Sequence, residues 1–278
     1  MIPAEDSVFE RLADALGERY ALERELGRGG MAIVFLARDR RQDVRVAIKV
    51  MQPNLAAALG PARFAREIEI ARSMEHPLIV PVRETGEADG LLYYVMAYID
   101  GESLFQRLER ERRLPLDEAL RITRDVADAL GYAHRRGILH RDVKPENILL
   151  AGGRALVADF GLARAITAAD SRRLTATGII VGSAHYLSPE QLREDPDLDQ
   201  RADIYSLGCV LYEMLTGGPP FTAGTLKEIA IRILRAPVPA VSALRSGVPP
   251  AVEDALRRAL AKSAADRFAT MEEFAAAL

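Results

Sequence analysis

The pattern of apolar residues changes once along this chain, and the change restricts what it can fold into. Up to about Tyr98 the apolar positions come in short runs rich in β-branched residues. Tyr20–Leu26, Ile33–Arg38, Arg45–Met51, Leu78–Glu84 and Leu91–Tyr98 read as strands, with glycine-containing turns among them. One main helix interrupts them at Pro61–Met74, with Phe64, Ile68 and Ala71 on one face and His76-Pro77 as its stop. Beyond Asp100-Gly101 the spacing turns helical, over Leu116–Arg135, Pro189–Arg193, Asp203–Thr216, Leu226–Arg235 and Pro250–Lys262. The expectation is an α+β, bilobal architecture: a small β-rich lobe with one main helix, then a larger, mostly α-helical lobe. Val8, Phe9, Leu12 and Leu16 mark a short helix ahead of the first strand, read as lying outside the main core. The expected organisation is a helical extension over residues 1–18, a small lobe over 19–98 and a large lobe over 99–278.

Composition narrows the function classes. With 278 residues, 49% hydrophobic and 28% charged, a core of ordinary size forms without staples. The net charge of −3 and the lack of a basic block argue against non-specific nucleic-acid or membrane binding. Cys209 is the only cysteine, so no intrachain disulfide or thiol-based zinc site is expected. No apolar run reaches the roughly 18–20 residues of a spanning helix. A cytoplasmic setting is expected, either free or as the cytosolic part of a membrane-anchored or multidomain protein. The four histidines form no cluster of metal-binding spacing: His140 reads as structural, and His134 and His185 as surface or loop residues.

Three motifs carry chemistry. Leu26-Gly27-Arg28-Gly29-Gly30-Met31-Ala32-Ile33-Val34 sits between two strands, where residues without Cβ let backbone N–H groups approach phosphate oxygens. Alone it is equally a hairpin turn. Val46-Ala47-Ile48-Lys49 puts a lysine on an apolar strand, where its ammonium needs an anion, with Glu67 on the next helix as a candidate partner. Alone it is equally a lysine at a strand end. The third motif is the specific one: Ile138-Leu139-His140-Arg141-Asp142-Val143-Lys144-Pro145-Glu146-Asn147, followed at Asp159 by Asp-Phe-Gly. Transfer of a γ-phosphoryl group needs metal ions to neutralise charge, a lysine to place phosphates and a carboxylate to take the hydroxyl proton. Asp142 suits the last role, and Asn147 and Asp159 are hard oxygen ligands for Mg²⁺.

The order and rough spacing of these motifs resemble the eukaryotic-like protein kinases, from about Tyr20 to the C-terminus. Ser188-Pro189-Glu190, the run from Asp203 to Gly208, and Arg267 extend the likeness, which is strongest to the bacterial (Hanks-type) serine/threonine kinases. The resemblance implies the protein kinase fold, ATP with Mg²⁺ (or Mn²⁺) as cofactors, protein substrates, and transfer to Ser/Thr hydroxyls. It implies that Lys49, paired with Glu67, holds the α/β-phosphates, that Asp142 orients the hydroxyl, and that Lys144 steadies the γ-phosphate. By the same likeness Gly27, Arg28, Gly29 and Gly30 cover the phosphates. Leu26, Val34, Ala47 and Leu149 sandwich the adenine, Met96 is the gatekeeper, and Ala97–Ile99 form the hinge. Glu190 and Arg267 are implied to be a buried structural ion pair, and Asp203 a structural residue. Ser171, Thr175 and Thr177 are implied phosphorylation sites, with Arg141 placed to pair with a phosphothreonine and a homodimer as a route to trans-autophosphorylation. A pseudokinase would lack one of Lys49, Asp142, Asn147 or Asp159, and all four are present. A small-molecule phosphotransferase typically lacks the Lys144 pattern, Ser-Pro-Glu and Arg267, which are also present.

Overall fold

The structure is a computed structural model that describes residues 4–53, 56–57, 60–160 and 183–278. The described residues form two compact units, the first from residues up to 75 and 80–99, the second from 76–79, 100–160 and 183–278.

The first unit is built on a five-stranded antiparallel sheet of order β1-β2-β3-β5-β4: β1 Tyr20–Arg28, β2 Ala32–Asp39, β3 Val44–Met51, β4 Val82–Ala88 and β5 Leu91–Ala97. Register divides the side chains between two faces. Val34 pairs with Lys49, and Ala47 with both Leu36 and Met96, so these residues share one face. On the other, Ile33, Phe35, Ala37, Val46, Ile48, Val50, Tyr93 and Val95 form a buried cluster. Helix α1 (Ala4–Leu16) covers that cluster. Leu12 is fully buried in it, Val8, Phe9 and Leu16 pack against it, and Phe9 meets Phe35 edge-to-face at 5.6 Å. The helix is therefore part of the core of this unit and not an extension outside it. Helix α2 (Pro61–Arg72) lies against β4 and β5 and buries Phe64, Glu67, Ile68 and Ala71.

Strand β4 begins at Val82, four residues later than its apolar run starts. Pro81 has no N–H to give a ladder, and Leu78 and Ile79 join the second unit, where the Leu78 carbonyl accepts from Val157 N at 2.8 Å and Ile79 bridges Val157.

The second unit is mostly helical: α3 Leu104–Glu111, α4 Leu116–His134, α5 Pro189–Leu192, α6 Arg201–Thr216, α7 Leu226–Arg235, α8 Pro250–Ala259 and α9 Met271–Ala276. Capping boxes at Ser103/Gln106, Ser188/Gln191 and Thr225/Glu228 start three of them. Helix α6 is apolar nearly all round, from Ala202 to Leu215, as a buried central helix requires. A three-stranded sheet, β6 Glu102–Ser103, β7 Ile148–Ala151 and β8 Arg154–Val157, also lies in this unit, with β7 and β8 directly after the Asp142–Asn147 span.

Candidate active site

Each unit carries part of the expected residue set. In the first, the β1–β2 hairpin holds the glycine run, closed by the Gly29 N–H donating to the Ala32 carbonyl at 2.9 Å. Neither Gly27 nor Gly29 has a left-handed backbone, and a Cβ on Gly27 would meet nothing within 4 Å. Packing thus gives no reason for glycine there, and the open space suits close approach of a phosphate. Ala32, where the family pattern has its third glycine, is outside the left-handed region and tolerates its methyl. Arg28 pairs with Glu25 at 2.7 Å. Val34, Ala47, Lys49 and Met96 line one sheet face, while Leu26, Ala97 and Ile99 are half-exposed. Glu67 is buried, and its Oε2 accepts no hydrogen bond among the described residues, an atom whose desolvation a cation would offset.

In the second unit the geometry is denser. Asp142 Oδ2 accepts from Lys144 Nζ at 2.6 Å and from Asn147 Nδ2 at 3.1 Å. The same Asn147 amide nitrogen donates to the Asp142 carbonyl at 2.8 Å. Both acceptors fix the amide orientation, so Asn147 Oδ1 is left as a hard oxygen with no donor among the described residues. Asp142 Oδ1 likewise takes no donor from them. Burial works against the charge on Lys144, but Asp142, Glu146 and Asp159 around it hold its pKa above the ordinary lysine value. Asp142, Lys144, Asn147 and Asp159 are thus gathered around one point, and Leu149 follows on β7.

The loop that carries Asp142 is held in a costly shape. Arg141 has φ +67° and Asp159 φ +68°, left-handed conformations that side-chain-bearing residues rarely adopt. Asp203, from the first turn of α6, accepts from Arg141 N at 2.8 Å through Oδ1 and from His140 N at 2.9 Å through Oδ2. Gln191 Nε2 donates to the Arg141 carbonyl at 2.8 Å, with its own Oε1 fixed by Ser188 N. His140 is fully buried, accepts from Asp142 N at Nδ1 (3.2 Å), donates from Nε2 to the Ala158 carbonyl (2.9 Å), and sets its ring against Phe160. Burial pushes Asp203 up, but the His134 bond and the charges near it prevail and hold it below the usual carboxylate range.

Glu190 and Arg267 form a two-pronged pair at 2.6 and 2.8 Å, with Arg267 also donating to the carbonyls of Ala261 and Arg201. Ser171, Thr175 and Thr177 lie outside the described residues. Sequence reasoning read His134 as a surface or loop residue. Its side chain is instead 3% exposed and bonded to Asp203 at 2.7 Å. The signal was there: position 134 lies four residues after Leu130 and eight after Val126, on the buried stripe of α4.

A five-stranded sheet with its helix, a helical unit centred on α6, and an Asp–Lys–Asn–Asp set beside a strained loop define a protein kinase domain. The protein kinase domain model matches residues 20–276, and the chain belongs to that family. It is 43% identical over 272 residues to serine/threonine-protein kinase PknB of Mycobacterium leprae, covering 95% of this chain and 43% of that protein. To PknB of Mycobacterium tuberculosis it is 44% identical over 273 residues, again 95% and 43%. To serine/threonine-protein kinase PknD of Mycobacterium tuberculosis it is 42% identical over 261 residues, 93% of this chain and 39% of that protein. The chain thus spans less than half the length of these relatives. Among the described residues no helix is long and apolar enough to cross a membrane.

Proposed function

We propose that this chain transfers the γ-phosphoryl group of ATP to serine and threonine hydroxyls of proteins, with Mg²⁺. The observation that carries the reading is the asymmetric Asp142 carboxylate, with Oδ2 clamped by Lys144 and Asn147 and Oδ1 taking no donor among the described residues. Oδ1 is the oxygen that orients the acceptor hydroxyl and receives its proton. Lys144, kept cationic by its acidic neighbours, steadies negative charge that develops on the transferring group. Asn147 Oδ1 and Asp159 would hold the metal, and Mg²⁺ when bound neutralises phosphate charge. Lys49 binds the α/β-phosphates and is matched to Glu67, whose buried Oε2 wants a cation. Leu26, Val34, Ala47 and Leu149 enclose the adenine, and backbone groups of Ala97–Ile99 bond its edge. The serine/threonine preference is supported by Lys144, two residues after Asp142, and by the names of the relatives.

Ser171, Thr175 and Thr177 are the proposed autophosphorylation sites, with two copies of the chain meeting for the reaction. Incubation with γ-labelled ATP and Mg²⁺, followed by mapping of the labelled residues, tests this. Label on these residues that vanishes with EDTA is expected. Label confined to other residues would remove the proposed switch, and no label in any condition would remove the activity.

A further inference from the structure

We infer that Gln191, on α5, is a positioning residue for Asp142, acting through the peptide group that joins Arg141 to Asp142; the inference rests on the kinase reading above. That peptide has one acceptor and one donor. The Arg141 carbonyl accepts from Gln191 Nε2 at 2.8 Å, and the Asp142 N–H donates to His140 Nδ1 at 3.2 Å. The glutamine bond is the shorter of the two, and it comes from a half-buried side chain 50 residues further along the chain. The amide has one orientation that fits: Gln191 Oε1 accepts from Ser188 N at 3.0 Å, so the nitrogen end faces the carbonyl.

Starting α5 does not by itself call for glutamine. A capping box needs only a side-chain oxygen for the N–H of the capping residue, and glutamate supplies it equally well. Glu228 does so for Thr225 N at 3.1 Å at the start of α7. What glutamine adds at position 191 is a donor on the other side of the amide. Glutamate there would keep the cap but set a carboxylate oxygen against the Arg141 carbonyl, acceptor against acceptor. The donor also acts where the backbone is hardest to hold: Arg141 has φ +67°, a conformation that persists only where its surroundings fix it. The plane of the Arg141–Asp142 peptide sets the direction in which the Asp142 side chain leaves the loop, and with it the place of Oδ1. A displacement of about 1 Å at a reacting group costs on the order of a hundredfold in rate.

The test is steady-state phosphoryl transfer from ATP to an added protein acceptor, well below the melting temperature of each form. Gln191→Glu keeps the cap and loses the donor, whereas Gln191→Lys keeps a donor and loses the cap. The glutamate variant is expected to lose about ten- to a hundred-fold in kcat with KM for ATP within about two-fold, and the lysine variant to retain more of the wild-type kcat than glutamate does. A role confined to capping gives the reverse order, with glutamate close to wild type and lysine impaired, and that result overturns the inference. A lysine variant no better than glutamate overturns it too. If either variant does not fold, proton NMR of the wild-type Gln191 side-chain amide decides: one Nε2 proton shifted downfield and slow to exchange is expected, and two protons with free-amide shifts and exchange overturn the inference. Wild-type protein that transfers no phosphate would remove the kinase reading and this role together; active wild type with an equally active glutamate variant removes this role alone.

Discussion

Replacing Arg267 by alanine would strand the Glu190 carboxylate in a site that is 8% exposed, at a cost of about 3–5 kcal/mol. Urea denaturation should show the loss, and a paired Glu190→Leu change should return part of it. Titration gives opposed signs at two other residues. Asp203, like Glu190, has its pKa depressed in the folded state, so its contribution is present above the ordinary carboxylate range and is lost as pH falls through the folded value. Glu213 runs the other way: burial pushes it up to about 7, although the Tyr186 hydroxyl donates to it at 2.6 Å. Between its unfolded value of about 4.3 and 7 the folded state holds the extra proton, so stability falls as pH rises. Glu213→Gln should be more stable relative to wild type at pH 8 than at pH 5 (thermal melts at both). The residues proposed for the reaction were legible in the sequence because Asp142, Lys144 and Asn147 lie within six positions of one another. His134 and Gln191 were not, because the atoms they hold lie 69 and 50 residues away in sequence.

At the scale of elements, α1 is the sharpest test. Its apolar spacing revealed a helix, but spacing alone does not say which surface the stripe meets. Here it meets the sheet face opposite Lys49, with Leu12 fully buried. Leu12→Ala should cost about 2–4 kcal/mol in a denaturant titration. A change within about 0.5 kcal/mol, the ordinary range for a surface site, would mean that the helix is a loose appendage. The strands of the first unit were legible from their β-branched runs. Strands β6–β8 were largely not, being two to four residues long, too short for an alternating pattern to register. Close backbone approach is also silent in sequence: a Cβ on Gly101 would run into the Leu150 carbonyl across β6 and β7. Gly101→Ala is therefore expected to lower the melting temperature, where a substitution at open Gly27 is not.

At the scale of the molecule, the residues proposed for the reaction are divided between the units: the glycine run, Lys49 and Glu67 belong to the first, and Asp142, Lys144, Asn147, Leu149 and Asp159 to the second. Their sequence motifs were strong because phosphoryl transfer tolerates few substitutes for a carboxylate, an amide oxygen and a lysine at fixed spacing. What the sequence left silent is acceptor choice, since it depends on surface contacts that a single sequence does not decode. The central claim is that Asp142 orients the acceptor hydroxyl. The most direct test is the rate of phosphoryl transfer from ATP to an added protein acceptor, wild type against Asp142→Asn, with ATP affinity measured beside it. Asparagine keeps the shape and removes the base, so a fall of about 10²–10⁴-fold in kcat with ATP affinity little changed is expected. An asparagine variant as active as wild type would contradict the claim.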